Sequence, residues 1–352
     1  MNQGQGLTAL AQELERQRAA KRDYLAPTRD LAFAPATSGT GISLAASAAM
    51  PEHGLTPWAH SQLAQYAGIP KPYYDRMLNE DPALCAANIN SWLHRKNETR
   101  MLRTLDNNIR AILSRRYRPL DNYDLVESAI PILQEAGAKV ESCQITETRL
   151  YLKAVTPRVS GEVSKGDICY PGVVISNSEL GNGALKIEQM VYRLVCSNGM
   201  IAGATLRQYH LGSGADKADE VYELFSDPTR RLDDAALWAK VKDVTRAALS
   251  ETSFRPTLNR LIQAKEKALV SDDVGKIVER TIQVLDLPQS TGKGILTNLA
   301  KGGDYTAFGL AQAVTATAET TDDYELATTL ERAGGNIIEL SPTDWRSIAE
   351  AA

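Results

Sequence analysis

The stretch RTLDNNIRAILSRRYR, residues 103–118, decides how the middle of this chain is read. Alternation places Ile109, Ala111 and Leu113 on one side and Arg110, Ser114, Arg116 and Arg118 on the other, the period-two pattern of a β-strand. Such a strand has one apolar face and one basic face. Asp121 then caps a helix whose Val126, Ala129, Ile130, Leu133 and Ala136 form an apolar stripe; Pro131 kinks it and Gly137 ends it. The helix is expected to cover the apolar face of the strand.

Further strands follow at residues 139–145 and 148–155. In the second, Leu150, Leu152 and Ala154 alternate with Arg149, Tyr151 and Lys153, so its outward face is again basic and aromatic. Strands near 168–176 and 185–196 flank Gly181-Asn182-Gly183, a hairpin signal. The expected fold is α+β: a central, mainly antiparallel curved sheet of order β-α-β-β-β-β with one covering helix.

On the amino-terminal side, residues 7–24 read as a charged helix with Leu7, Leu10, Leu14 and Arg18 at helical spacing, and the Ala/Ser/Thr/Gly-rich run 27–50 reads as a flexible arm. Thr56-Pro57 is a helix start, Gly68 a helix end, and a second short helix follows Pro70 and Pro72. Beyond residue 213 the pattern is helical, with runs near 216–225, 233–250, 256–270, 274–284 and 305–317. The expected organisation is a helix and arm over 1–55, a helical hairpin over 56–87, a central α+β domain over 88–212 and a helical domain over 213–352.

Four segments carry a resemblance. They are residues 191–201, where an apolar strand runs into Cys196-Ser197-Asn198-Gly199; residues 110–119; Gln62-Leu63-Ala64 followed by Gly68-Ile69-Pro70; and residues 305–315. Over roughly residues 56–315 the chain resembles the phage- and plasmid-encoded proteins grouped as domain-of-unknown-function family 932. The family carries no settled activity, so the resemblance implies a setting more than a chemistry. In that setting single-strand binding, annealing and recombination are common.

Composition sets the outer limits. The chain has 352 residues, 43% of them hydrophobic, and a net charge of −4. No run reaches the ~18–20 apolar residues of a membrane span, and no secretory signal is evident, so a cytoplasmic protein is expected. Cys85, Cys143, Cys169 and Cys196 are widely spaced singles that read as reduced, buried small hydrophobes, with no metal-ligand spacing. Charge is unevenly spread: residues 91–120 hold eight basic and two acidic side chains, a net +6, whereas 211–352 hold 16 basic and 23 acidic, a net −7. A local positive surface on an acidic protein suits a bounded polyanion site.

Catalytic signals are weak. None of His53, His60, His94 and His210 stands in a nucleophilic or metal arrangement, and Thr291-Gly292-Lys293-Gly294 lacks the first glycine and the Ser/Thr of a phosphate loop. Cys196 reads as packed beneath a tight turn. Glu141, Glu147 and Glu188 could gather metal in a nuclease, which is one alternative; a non-enzymatic interaction or structural protein of a phage or plasmid is another.

The leading expectation is a cofactor-free, metal-free, non-catalytic homo-oligomer, away from membranes, that binds single-stranded DNA for strand annealing or recombination. The expected surface consists of Arg103, Arg110, Arg115, Arg116, Tyr117, Arg118, Arg149, Tyr151, Lys153, Tyr192 and Arg193. Arginines would neutralise phosphates, and bases would stack on aromatic or guanidinium planes.

Overall fold

Asp106 and Asn107 have φ of 51° and 60°, the left-handed pair that closes a two-residue hairpin. The stretch read above as one strand is therefore two: β5 (Thr99–Leu105) and β6 (Asn108–Ser114) pair antiparallel around that turn. The alternation is also broken. Arg103 pairs with Ala111 but Thr104 with Ile109, so Arg110 is the extra residue of a β-bulge. The bulge puts Ile109 and Ile112 into the same apolar cluster, while Ala111 and Leu113 pack into another.

The structure, a computed structural model, describes residues 4–35, 42–46, 50–96, 98–194, 198–208 and 226–351. The helix expected at 216–225 and the turn residue Cys196 lie outside them. The chain is an α+β protein built on two sheets. In the first, β1 (Arg22–Pro27), β2 (Leu31–Pro35), β3 (Ile42–Ala46) and β4 (Met50–Leu55) join the hairpin in the order β1-β5-β6-β4-β3-β2. This corrects the flexible-arm reading of 27–50. In β2, Leu31 and Phe33 are buried and alternate with exposed Ala32 and Ala34, a half-buried strand hidden within a low-complexity composition.

Helices α2 (Pro57–Ala67), α3 (Lys71–Glu80) and α4 (Pro82–Arg95) cover one face of this sheet. Thr56 caps α2 by accepting from the Ala59 amide at 3.3 Å, and Gly68 ends it with φ 69°. Leu63, Tyr74, Met77, Ile89 and Leu93 meet Phe33, Leu102, Ile109 and Ile112 in one core.

The second sheet contains β7 (Lys139–Ile145), β8 (Leu150–Val155), β9 (Gly161–Glu162), β10 (Ile168–Asn177), β11 (Leu185–Arg193) and β12 (Asn198–Gln208). Its order is β12-β11-β10-β8-β7, all antiparallel, with β9 on β10. The hairpin 99–114 belongs to the other sheet, so the expected first strand does not extend this one. One face packs on α1 (Leu7–Ala20), α5 (Asn122–Glu135) and α6 (Asp227–Ala248): Leu10, Leu14, Val126, Leu133, Leu237 and Val241 meet Leu150, Leu152, Val173 and Ile187.

The remaining helices are α7 (Glu251–Ala264), α8 (Val274–Val284), α9 (Gly292–Gly302), α10 (Ala307–Thr317), α11 (Tyr324–Glu339) and α12 (Pro342–Ala349). They share a core that takes in Cys169, Val191 and Met200 of the second sheet. Gly335 lets α11 lie directly on β12, since an added Cβ would fall 1.8 Å from the Ile201 carbonyl oxygen. Gly335→Ala must displace backbone, so a loss of about 1–3 kcal/mol or more is expected in denaturant unfolding. A change under about 0.5 kcal/mol would show that the helix does not sit this close. No helix among the described residues is long and apolar enough to cross a membrane.

Candidate functional site

The arginines expected on an open sheet face are largely consumed inside the protein. Arg103, on β5, is 1% exposed. Its guanidinium donates to Asp23 at 3.0 Å, to the Glu179 carbonyl at 3.0 Å and to Asp121 at 2.8 Å. Arg110 reaches the Glu179 carboxylate at 2.9 Å, and Lys21 lies 2.7 Å from Asp121 and 3.4 Å from Glu179. Three cations and three carboxylates thus close a knot that ties β1, β5 and β6 to the start of α5 and the β10–β11 loop. The bulge explains why Arg110 joins it, because the extra residue re-aims its side chain.

The knot also changes a capping role. Asp121 precedes α5 but makes no side-chain cap; Glu179 accepts from the Asn122 amide at 2.7 Å instead. Burial opposes charge on Asp121, yet Arg103 and Lys21 outweigh it and hold this carboxyl below the usual aspartate range. Tyr117 is buried nearby, donating to the Ser178 carbonyl at 3.3 Å, and burial pushes its phenol pKa up.

Arg149, just before β8, and Tyr151 and Lys153 within it do alternate with apolar neighbours, but the face that carries Tyr151 and Lys153 is covered. Lys153 is fully buried and meets Glu331 of α11 at 2.5 Å. Burial pushes Lys153 down and Glu331 up, each towards its uncharged form. On β11, Glu188 receives both arms of Arg332 at 2.7 and 2.6 Å. Tyr151 lies 5.4 Å from the Tyr324 ring. Half-buried Arg149 borders Gly183, and half-buried Tyr192 packs beside Met190 and Ile201.

The other predicted residues scatter. Arg118 engages Asp233 at 2.5 Å and also Asp234, both on α6. Arg193 pairs with Asp167 and lies on the wall of a cavity of about 320 Å³ between α9 and α10. Of the expected set, Arg115 and Arg116 are the members fully at the surface. The nuclease carboxylates also have separate employment: Glu147 accepts from the Trp58 amide at 2.9 Å, Glu188 holds Arg332, and Glu141 is exposed. Among the described residues no group of three or more His, Cys, Asp or Glu is placed to hold a metal ion. Cys85 and Cys143 are buried, which pushes their thiols up to about 11.

A different cationic surface emerges at one end of the first sheet. Arg100 is in register with Ser114, so the exposed Arg115 and Arg116 leave β6 beside it. The Arg100 guanidinium lies 4.5 Å from the centre of the Tyr66 ring, and the Lys96 ammonium 5.0 Å from the same ring. Glu98 lies 2.6 Å from Arg100. Next to it on α4, Arg95 lies 4.7 Å over the Trp92 ring. Sequence reasoning does not single out Lys96, Arg100 and Tyr66; the charge excess of residues 91–120 is the signal, and pairing in space is needed to find them.

A family described as Domain of unknown function (DUF932) matches residues 111–331. No curated protein and no solved structure matches the chain.

Proposed function

The chain belongs to the DUF932 family, and because that membership fixes no chemistry, we propose from the surface that it binds single-stranded DNA without catalysis, through Lys96, Arg100, Arg115 and Arg116. The observation that carries this reading is that Lys96 and Arg100 lie over the Tyr66 ring at the end of the β5–β6 hairpin where Arg100 is in register with Ser114, the residue before the exposed Arg115 and Arg116. Phosphates bind such a surface by releasing counterions, and the guanidinium groups of Arg100 over Tyr66 and Arg95 over Trp92 are planes of the kind on which bases stack. The acidic remainder of the chain limits adhesion elsewhere. Strand annealing or recombination by an oligomer in a phage- or plasmid-bearing cytoplasm is the use that fits this chemistry.

The test is binding of a fluorescent single-stranded oligonucleotide against duplex over a salt series, with EDTA present. Four phosphate contacts give a slope of log affinity on log salt of about −3, and Arg115→Ala with Arg116→Ala should make it shallower by about 1.4. No binding at low salt, or a slope the double variant leaves unchanged, overturns the proposal. The internal pairing of Arg103, Arg110, Arg118, Lys153 and Arg193 favours a second reading in that event, a protein-interaction role in which basic residues serve the fold.

A further inference from the structure

We propose that β1 is the surface through which two copies of this chain pair, edge to edge, about a two-fold axis at Leu25. An open strand edge is a template for another chain, and proteins close the edges they do not use. The edge strand β2 of the first sheet is closed in this way. The Leu31 amide donates to the Thr28 carbonyl, and His94 Nε2 lies 2.9 Å from the Leu31 carbonyl oxygen. Asn90 of α4 takes both backbone groups of Phe33, accepting from the amide at 2.8 Å and donating to the carbonyl at 2.8 Å. In the second sheet the Gln5 amide donates to the Cys143 carbonyl of β7 at 2.7 Å, and α11 lies on β12 with Gly335 against the Ile201 carbonyl.

The opposite edge strand, β1, carries no such closure among the described residues. Its rungs fix which groups are left over. The Thr28 amide donates to the Glu98 carbonyl at 2.7 Å, and the Thr104 hydroxyl donates to the Arg22 carbonyl at 2.9 Å. Alternation then aims Arg22, Tyr24 and Ala26 at β5 and turns the amides and carbonyls of Asp23 and Leu25, with the Pro27 carbonyl, outward. Leu25 is also 63% exposed, an apolar side chain on an open edge. Antiparallel pairing with Leu25 opposite Leu25 matches these groups: two hydrogen bonds join the leucines, and each Asp23 amide donates to the Pro27 carbonyl of the other copy. Pro27 has no N–H to return, so the pairing stops there. Asp23 adds no repulsion, because Arg103 holds its carboxylate at 3.0 Å. Such a contact is self-complementary and closes at two copies. It leaves the two β5 strands three strand spacings apart, roughly 14 Å. Met101 is in register with Leu25, so both Arg100 residues then lie near the axis.

The experiment is cross-linking of the full chain, with sedimentation beside it. Opposed Cα atoms of a hydrogen-bonded antiparallel pair are about 5.5 Å apart, within disulfide range. Oxidised Leu25→Cys should therefore give a species of twice the mass on a non-reducing gel at least about tenfold faster than Ala32→Cys, an exposed position on the closed β2 edge. Cys85, Cys143 and Cys169 are buried and leave the background low. An edge of six residues is short for a permanent interface, so the sedimenting mass should rise with concentration. Leu25→Lys, which sets two ammonium groups opposite each other at an exposed position, should weaken the dimer at least about tenfold. Cross-linking of Leu25→Cys no faster than of Ala32→Cys, a mass that stays that of one chain, or a dimer indifferent to Leu25→Lys overturns the proposal. The pairing does not rest on DNA binding: a parent chain that dimerises but binds no oligonucleotide loses only the DNA reading, and one that binds oligonucleotide as a monomer loses only the pairing.

Discussion

Arg103→Met is expected to lower the free energy of unfolding by about 3–5 kcal/mol, the cost of stranding buried charges by removing one partner, whereas Arg116→Ala should change it by no more than about 0.5 kcal/mol. Both are arginines of one short stretch, and sequence alone treats them alike. The difference is place. Arg103 touches Asp23, Asp121 and the Glu179 backbone together, so its loss leaves two carboxylates near the junction of the sheets without their main counter-ion. Urea unfolding of the two variants beside the parent checks this. A loss for Arg103→Met below about 1 kcal/mol would mean that water enters the knot and that the sheets are held by their apolar contacts.

The same knot sets a pH dependence. The native pKa of Asp121 lies below its ordinary 3.8, so its stabilising contribution is complete above that value and is lost as pH falls through the lower native value. Arg103→Met removes the main cause of that depression. The acid limb of the stability curve should be shallower in the variant.

Lys153→Met is the second large effect. It leaves Glu331 buried with one carboxylate oxygen already lacking a hydrogen bond, and should cost about 3–5 kcal/mol at neutral pH. Adding Glu331→Leu should recover that loss and can exceed it by about 1–4 kcal/mol. The reason is the direction of both shifts. Glu331 is raised above its ordinary 4.5, so what it contributes is present below 4.5 and lost as pH rises through its native value. Lys153 is lowered from 10.5, so what it contributes is present above 10.5 and lost as pH falls through its native value. Between those limits burial outweighs attraction, and an apolar pair is the better occupant. A double variant as unstable as Lys153→Met alone would show that packing on Tyr151 and Tyr324, rather than charge, sets the loss.

The sequence pattern makes the second sheet legible because its strands pair with neighbours close in the chain. Leu150, Leu152 and Ala154 do form the buried face that alternation assigns, and Thr56 and Gly68 begin and end their helix as their chemistry requires. The first sheet is harder to see. Its order joins β1 to β5 and β4 to β6 across long separations, and its bulge at Arg110 interrupts the period on which strand reading depends. Alternation also reports only that two faces differ, and says nothing of what covers them. Lys153 faces outward on that logic, yet a helix almost 180 residues later lies over it.

Chain separation has one more consequence, in synthesis. Leu10 and Leu14 of α1 bury themselves against Leu150 and Ile187, and the Gln5 amide is held by the Cys143 carbonyl at 2.7 Å. At about 5–20 residues per second the ribosome supplies those partners roughly 10–30 s after α1 emerges. Until then an amphipathic helix waits with its apolar stripe uncovered, a natural docking point for a chaperone and the step at which nascent chains are most open to mispairing.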